Sequence, residues 1–184
     1  LEAALARRRS VRAFAAQPLA LAQLGQLLWA AQGVTGHRWP TRTVPSAGGL
    51  YPLEVFVVAG QVEGLAAGIY RYRPAAHGLV GVKPGDHRQS LARGALGQGW
   101  IAQAPATVAI AGVVARTAAK YGRRAERYML MEAGHAAQNV YLQVQSEGLG
   151  TTAVGAFQDS EVQALLGMGP DEAPLYLLPV GMPR

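Results

Sequence analysis

From Ala133 to Ser146 the sequence reads AGHAAQNVYLQVQS, without a single Lys, Arg, Asp or Glu. This run is the second half of a longer helical stretch, roughly Thr117 to Glu147, which Gly148 and Gly150 are expected to stop. A helix on a protein surface needs a charged or strongly polar face, and one that is weakly polar all round is normally buried. A chain of 184 residues has the size of one domain and can hardly enclose such a helix on every side by itself. A homodimer with this helix at the interface is therefore expected. An ordinary central core helix is the alternative. The composition agrees with extensive burial: half of the residues are apolar and only 15% are charged, against a usual share of about a quarter.

There are 17 basic and 11 acidic residues, a net charge of +6, which by itself hints at nucleic acid. There is no cysteine, which excludes disulfides, thiolate nucleophiles, Fe–S clusters and cysteine-based zinc sites. Any redox chemistry must then come from a bound cofactor. No run reaches the roughly 18 apolar residues of a membrane span; the longest candidate, Pro105 to Ala115, is too short. The opening LEAALARRRS has no apolar region after its charges, so no signal peptide is read there. A soluble, cytoplasmic protein is expected, and because Leu1 is not Met, a natural start upstream.

No repeats or low-complexity linkers divide the chain, and one domain over 1–184 is expected. Helices are read at 1–9, at Gln17 to Gln32 with its leucines three and four apart, at Gly85 to Leu96, and in SEVQALLG after a cap at Asp159 or Ser160. Strands are read at Leu53 to Ala59, Pro105 to Val113, Thr151 to Phe157 and Ala173 to Gly181. Gly68 to Pro74 and Leu79 to Val82 read as a hairpin turning at Pro74, His77 and Gly78. Gly36 to Tyr51 is read as a loop. Helices and strands are interspersed, so the class is α/β or α+β.

Four motifs carry candidate chemistry. RRRSVRAF, Arg7 to Phe14, sets four arginines and a serine close together; the guanidinium fork and the hydroxyl suit a terminal phosphate. A solvated basic turn is the plain alternative. Nucleic-acid contact is another, kept open by Arg123, Arg124 and Arg127, although no known nucleic-acid motif is present. PSAGGLYP, Pro45 to Pro52, has small residues that let backbone N–H groups approach a flat or anionic ligand, or it is merely a loop entering a strand. GLGTTAVGAF, Gly148 to Phe157, has dinucleotide-fingerprint spacing in the wrong context: its glycines close a helix and open a strand, so no Rossmann site is read. Lys120-Tyr121 pairs a general base with a hydrogen-bond donor, or is simply helix surface. The histidines at 37, 77, 87 and 135 lack ligand spacing, so no metal is expected, and His135 is read as a core histidine. No G-x-S-x-G nucleophile elbow is present.

Taken in order, R-R-S-x-R, PSAGGLYP entering a strand, GIYRYRPAAHGL, KYGRRAERY…EAGHAAQN, GLG…VGAF and PLYLLPVG resemble the FMN-dependent nitroreductase superfamily. The pattern is most similar to its SagB-type branch, the dehydrogenases related to thiazole- and oxazole-forming oxidases, and covers nearly the whole chain. The resemblance implies an α+β sandwich with a central, mostly antiparallel sheet flanked by helices, and a homodimer with two FMN sites at its interface. By motif, Arg8, Ser10 and Arg12 would bind the FMN phosphate and ribityl chain, with Arg9 adjacent. Pro45, Ser46, Ala47 and Gly48 would pack on the flavin from the partner subunit. Gly155 and Ala156 would offer N–H groups to the flavin N5 edge, Gln98 a polar contact to the ring, and Arg184 a further phosphate contact. Lys120 and Tyr121 match a pair implicated in proton removal from substrate in related azoline oxidases. The implied activity is two-electron hydride transfer on a peptide azoline, an NAD(P)H/nitroaromatic pair or another metabolite, with flavin storage without turnover as the alternative. Azoline oxidases carry further sequence before R-R-S, and many nitroreductases a C-terminal arm; neither lies within Leu1 to Arg184, which weighs against a peptide-modifying role.

Overall fold

The computed structural model describes residues 1–36 and 41–184. His37 and Pro40, part of the loop read at Gly36 to Tyr51, lie outside the described residues. Six strands form one sheet in the order β5 (Gly78–Pro84), β4 (Gly68–Arg73), β2 (Leu53–Ala59), β6 (Ala106–Gly112), β8 (Ala173–Gly181) and β7 (Gly150–Thr151). Every neighbouring pair is antiparallel. A separate parallel pair joins β1 (Leu19–Ala20) to β3 (Val62–Glu63).

Alternation along the central strands sends side chains to both faces, and both are buried. Leu53, Val55 and Val57 of β2, Val108 and Ile110 of β6, and Leu178 and Val180 of β8 face α2 (Leu21–Gln32) and α6 (Ala125–Ser146). Phe56, Val58, Ala109, Ala111 and Leu177 face α3 (Arg88–Gly94), α4 (Trp100–Gln103) and α7 (Asp159–Leu166), where they meet Leu91, Ile101, Val162 and Leu166. The short α1 (Glu2–Arg7) leans on α6. The result is the expected α+β sandwich, helix on sheet on helix.

Four readings are corrected. The long helix is broken: α5 (Val114–Tyr121) ends at Gly122, whose φ of 51° turns the chain through one 3-10 turn before α6 starts. The strand read at Thr151 to Phe157 keeps only Thr151, which with Gly150 forms β7, and an isolated pairing of Val154 with Leu177; the Ala153 N–H goes to the Tyr141 hydroxyl and the Ala156 carbonyl to the Gln98 amide instead. The helix read from Gln17 begins at Leu21, since Leu19 and Ala20 pair with β3. Gln158, not Asp159 or Ser160, occupies the cap position of α7, and no side chain caps it.

Candidate functional site

Three clusters gather the residues singled out in the sequence. The first surrounds Tyr141, on the buried side of α6. Ser10 Oγ lies 3.2 Å from the Tyr141 hydroxyl, the Ala153 N–H donates to it at 2.8 Å, and the Arg8 guanidinium carbon stands 5.2 Å from the ring centre. The Val11 N–H donates to the Thr151 carbonyl at 2.9 Å, which lays the R-R-S segment alongside β7. Gly150 permits this approach: a Cβ there would stand 2.7 Å from Val11 Cβ. Gly150 thus serves chain packing, while Gly148, at φ 67° just past the end of α6, turns the chain out of the helix.

Arg9 turns back onto the carbonyls of Ala6 and Arg8, and Arg12 is exposed. Among the described residues, Arg7, Arg8, Arg9 and Arg12 form no ion pair. The hydroxyl of Thr151 is buried without a partner. Burial pushes the Tyr141 phenol up, but the hydrogen bonds with Ser10, Ala153 and Thr152 and the charge of Arg8 together hold it below its ordinary value of 10.0.

The second cluster joins the PSAGG loop to the Lys-Tyr pair. Glu132, buried on α6, accepts from the Ala47 N–H at 2.8 Å and the Ser46 hydroxyl at 3.1 Å, while Ser46 Oγ accepts the Tyr51 N–H at 2.8 Å. These bonds fix a short 3-10 turn, Ala47–Gly49, with Gly48 at φ 64° and exposed Pro45 ahead of it. A Cβ on Gly48 would stand 2.9 Å from the Tyr121 hydroxyl and 3.0 Å from Lys120 Nζ. The break at Gly122 creates this meeting by ending α5 at the pair, and Tyr121 is braced edge-on by Tyr128 at 5.1 Å.

In the third cluster Gln98 Nε2 donates to the carbonyls of Ala95 and Ala156, both at 2.8 Å. Gly155 is exposed, and a Cβ there would meet the Tyr176 ring at 3.7 Å. This segment follows directly from Ala153, so the first and third clusters are continuous in one chain. The second stands apart. Glu132 and Tyr141 are nine residues apart on α6, about 13 Å along its axis. Arg184 belongs to neither by contact: its N–H donates to the Ala13 carbonyl at 3.1 Å, and it lines a recess with Gln61, Arg88 and Gln103.

Sequence reasoning missed Glu132 and Tyr141. The signal for Glu132 was a lone carboxylate just ahead of the charge-free run. His135, read as a core residue, is exposed: α6 turns Ala133, Ala136 and Ala137 inward and leaves Gly134, His135 and Gln138 outside. No helix of the described residues is long and apolar enough to cross a membrane.

The sequence model described as the nitroreductase family matches residues 5–182. A nitroreductase-family protein of Methanocaldococcus jannaschii is 47% identical over 181 residues, 98% of this chain and 90% of its own. A crystal structure described as a nitroreductase from Anabaena variabilis superposes with a TM-score of 0.87 at 32% identity, over all of this chain but only 38% of that one. The microcin synthetase complex of E. coli, solved with a truncated pro-microcin bound, superposes with a TM-score of 0.85 at 26% identity, over 97% of this chain and 70% of that one.

Proposed function

The chain belongs to the nitroreductase family of oxidoreductases, and from that premise we propose that it is an FMN-dependent enzyme of the SagB-type branch, one domain over 1–184, working as a homodimer with its flavin site shared between subunits. The observation that carries this reading is the division of the site residues. Arg8, Ser10 and Ala153 sit together around Tyr141, with Gly155–Ala156 two residues further along the chain, whereas the loop expected to cover the flavin is held by Glu132, about 13 Å away along α6. Two copies meeting along α6 bring one set against the other.

The residues fit the cofactor. Arg8 has no carboxylate partner among the described residues, and the exposed Ser10 hydroxyl stands in the same cluster. A phosphate answers that need, because the guanidinium and the hydroxyl give it charge-assisted hydrogen bonds. Arg8, Ser10 and Arg12 would hold the phosphate end, with Arg9 adjacent; Arg184 approaches the same segment through its backbone. Pro45 to Gly48 would pack on the ring, and Gln98 fixes the Gly155–Ala156 backbone beside it. FMN supplies two-electron hydride chemistry when bound there.

The chain's own part is to position substrate and move a proton. A peptide azoline oxidised to its azole gives up one proton and one hydride. Lys120 Nζ and the Tyr121 hydroxyl, both turned toward Gly48, would take the proton. The likeness to the microcin synthetase, solved with a truncated pro-microcin bound, supports a peptide substrate, and the resemblance to azoline oxidases makes its reacting group a heterocycle; an NAD(P)H/nitroaromatic pair is the competing assignment.

The purified protein is expected to be yellow and to release FMN on denaturation. A colourless protein that FMN does not stabilise against heat overturns the reading. Lys120→Ala is expected to keep FMN and lose oxidation of an azoline peptide. Undiminished turnover removes the base assignment.

A further inference from the structure

A second polar recess lies beside the candidate site, outside the three clusters. It is bounded by β2, β4 and the start of α5, encloses about 270 Å³, and is lined by Gln32, Arg42, Glu54, Tyr72, Arg73 and Arg116 among others. Three guanidinium groups there face one carboxylate. That carboxylate is already committed: Glu54 Oε1 holds Arg116 at 2.5 Å, and Oε2 lies 3.6 Å from Arg71, which also binds Glu172. Arg42 is left with neutral partners. Among the described residues its side-chain hydrogen bond goes to Gln32 Oε1 at 2.7 Å, and its guanidinium lies over the Tyr51 ring at 4.7 Å.

A partly buried guanidinium with spare donors costs desolvation that a neutral amide offsets poorly. Burial works against the charge on Arg42, Glu54 supports it, and neighbouring Arg116 opposes it. The recess is too small for a whole cofactor but suits one charged group of a larger molecule. It also adjoins the Lys-Tyr pair. Arg116 donates to the Tyr51 carbonyl at 3.1 Å, and it sits one turn before Lys120 on α5, about 6 Å along the helix axis.

We propose that this recess binds an oxyanion carried by the substrate, a carboxylate or a phosphate, with Arg42 as its selecting residue and Arg73 and Arg116 beside it. The proposal rests on the redox reading above and narrows it: the molecule that exchanges electrons with the flavin carries a negative group near its reacting centre. The planar guanidinium favours oxyanions because it can donate two parallel hydrogen bonds to one of them.

Two measurements test it. The FMN-loaded protein is assayed with 4-nitrobenzoate, 4-nitrophenyl phosphate and neutral 4-nitrobenzyl alcohol as acceptors. Arg42→Gln is expected to lower the anionic-to-neutral ratio of kcat/KM by about ten- to hundredfold, the size of one charge-assisted hydrogen bond. Exposed Arg73→Gln is expected to lower it less, and the two anions separate carboxylate from phosphate. In the second measurement, phenylglyoxal modification of Arg42 is followed by peptide mass spectrometry. Nitrobenzoate or inorganic phosphate is expected to slow it with no turnover required. Equal losses with all three acceptors, or an Arg42 adduct that forms at the same rate with either anion, overturn the proposal. Absent flavin and absent turnover sink the redox reading instead and leave the modification result to decide the recess alone.

Discussion

The Ala47 N–H donates to Glu132 Oε1 at 2.8 Å, tying the glycine-rich loop to a carboxylate that is 97% withdrawn from solvent on α6 (3% exposed). Burial, the largest influence, pushes that carboxyl above its ordinary 4.5, against the pull of the Ala47 and Ser46 donors. A raised pKa means that the folded state binds the proton more tightly than the unfolded one. The stabilisation it gives is complete below 4.5 and is lost as pH rises through the raised value. Glu132→Gln keeps an acceptor oxygen and cannot ionise. The stability difference between the two proteins should therefore move in favour of the wild type as pH falls from neutral toward 4.5. Urea melts across that range measure it, and a difference that does not vary with pH refutes the raised pKa. Glu132→Ala leaves the Ala47 N–H without its acceptor and should cost about 1–3 kcal/mol.

Arg8 and Tyr141 make a prediction about the phosphate end. Arg8→Ala should weaken FMN retention by about 1.5–3 kcal/mol, the range for a hydrogen bond to a charged group. Flavin fluorescence titration reads it, and an unchanged Kd removes Arg8 from the site. Tyr141 should ionise below 10.0, since its hydroxyl accepts hydrogen bonds and faces Arg8. Because its folded pKa is depressed, its ionisation adds stability that is present above 10.0 and disappears as pH falls through the lowered value. Absorbance titration of the wild type against Tyr141→Phe should reveal a phenol ionising early.

Gly48→Ala probes the contact between loop and Lys-Tyr pair. The residue sits at φ 64°, and the added methyl would press on Tyr121 Oη and Lys120 Nζ. The backbone strain alone is expected to cost about 1 kcal/mol. Lys120 is flexible and exposed, so the fold should survive while the pair is displaced. Thermal melting should fall by only a few degrees, with a larger loss in kcat than in flavin affinity. Unaltered kcat would show that the pair does not act in the reaction.

The central strands were legible because burial on both faces writes them as continuous apolar runs: Leu53–Ala59 and Ala173–Gly181 end where the sequence indicates. The hairpin was legible from Pro74, His77 and Gly78, and His77 does adopt the left-handed conformation at the turn, φ 44°. The break at Gly122 was not, since a single glycine within a helical pattern is usually tolerated and only the packing of Gly48 against the pair shows why the chain turns there. Tyr141 stayed hidden because its ring satisfies the apolar pattern of α6, while its hydroxyl's partners, Ser10 and Ala153, are distant in sequence or lie in another element.

The outer face of α6 carries the last prediction. Leu130 and Met131 are 50% and 54% exposed, and Gly134, His135 and Gln138 continue the same uncharged stripe. A helix that shows water so little charge is best explained by a second copy covering it. Met131→Asp places a carboxylate in that contact, where it would be desolvated without a partner. Sedimentation should then show the mass of one 19.3 kDa chain instead of two. Flavin should be lost at the same time, because the proposed site needs the Tyr141 cluster of one copy and the Glu132-held loop of the other. A variant that remains dimeric places the interface elsewhere. A variant that becomes monomeric but keeps its flavin shows instead that one chain completes the site alone.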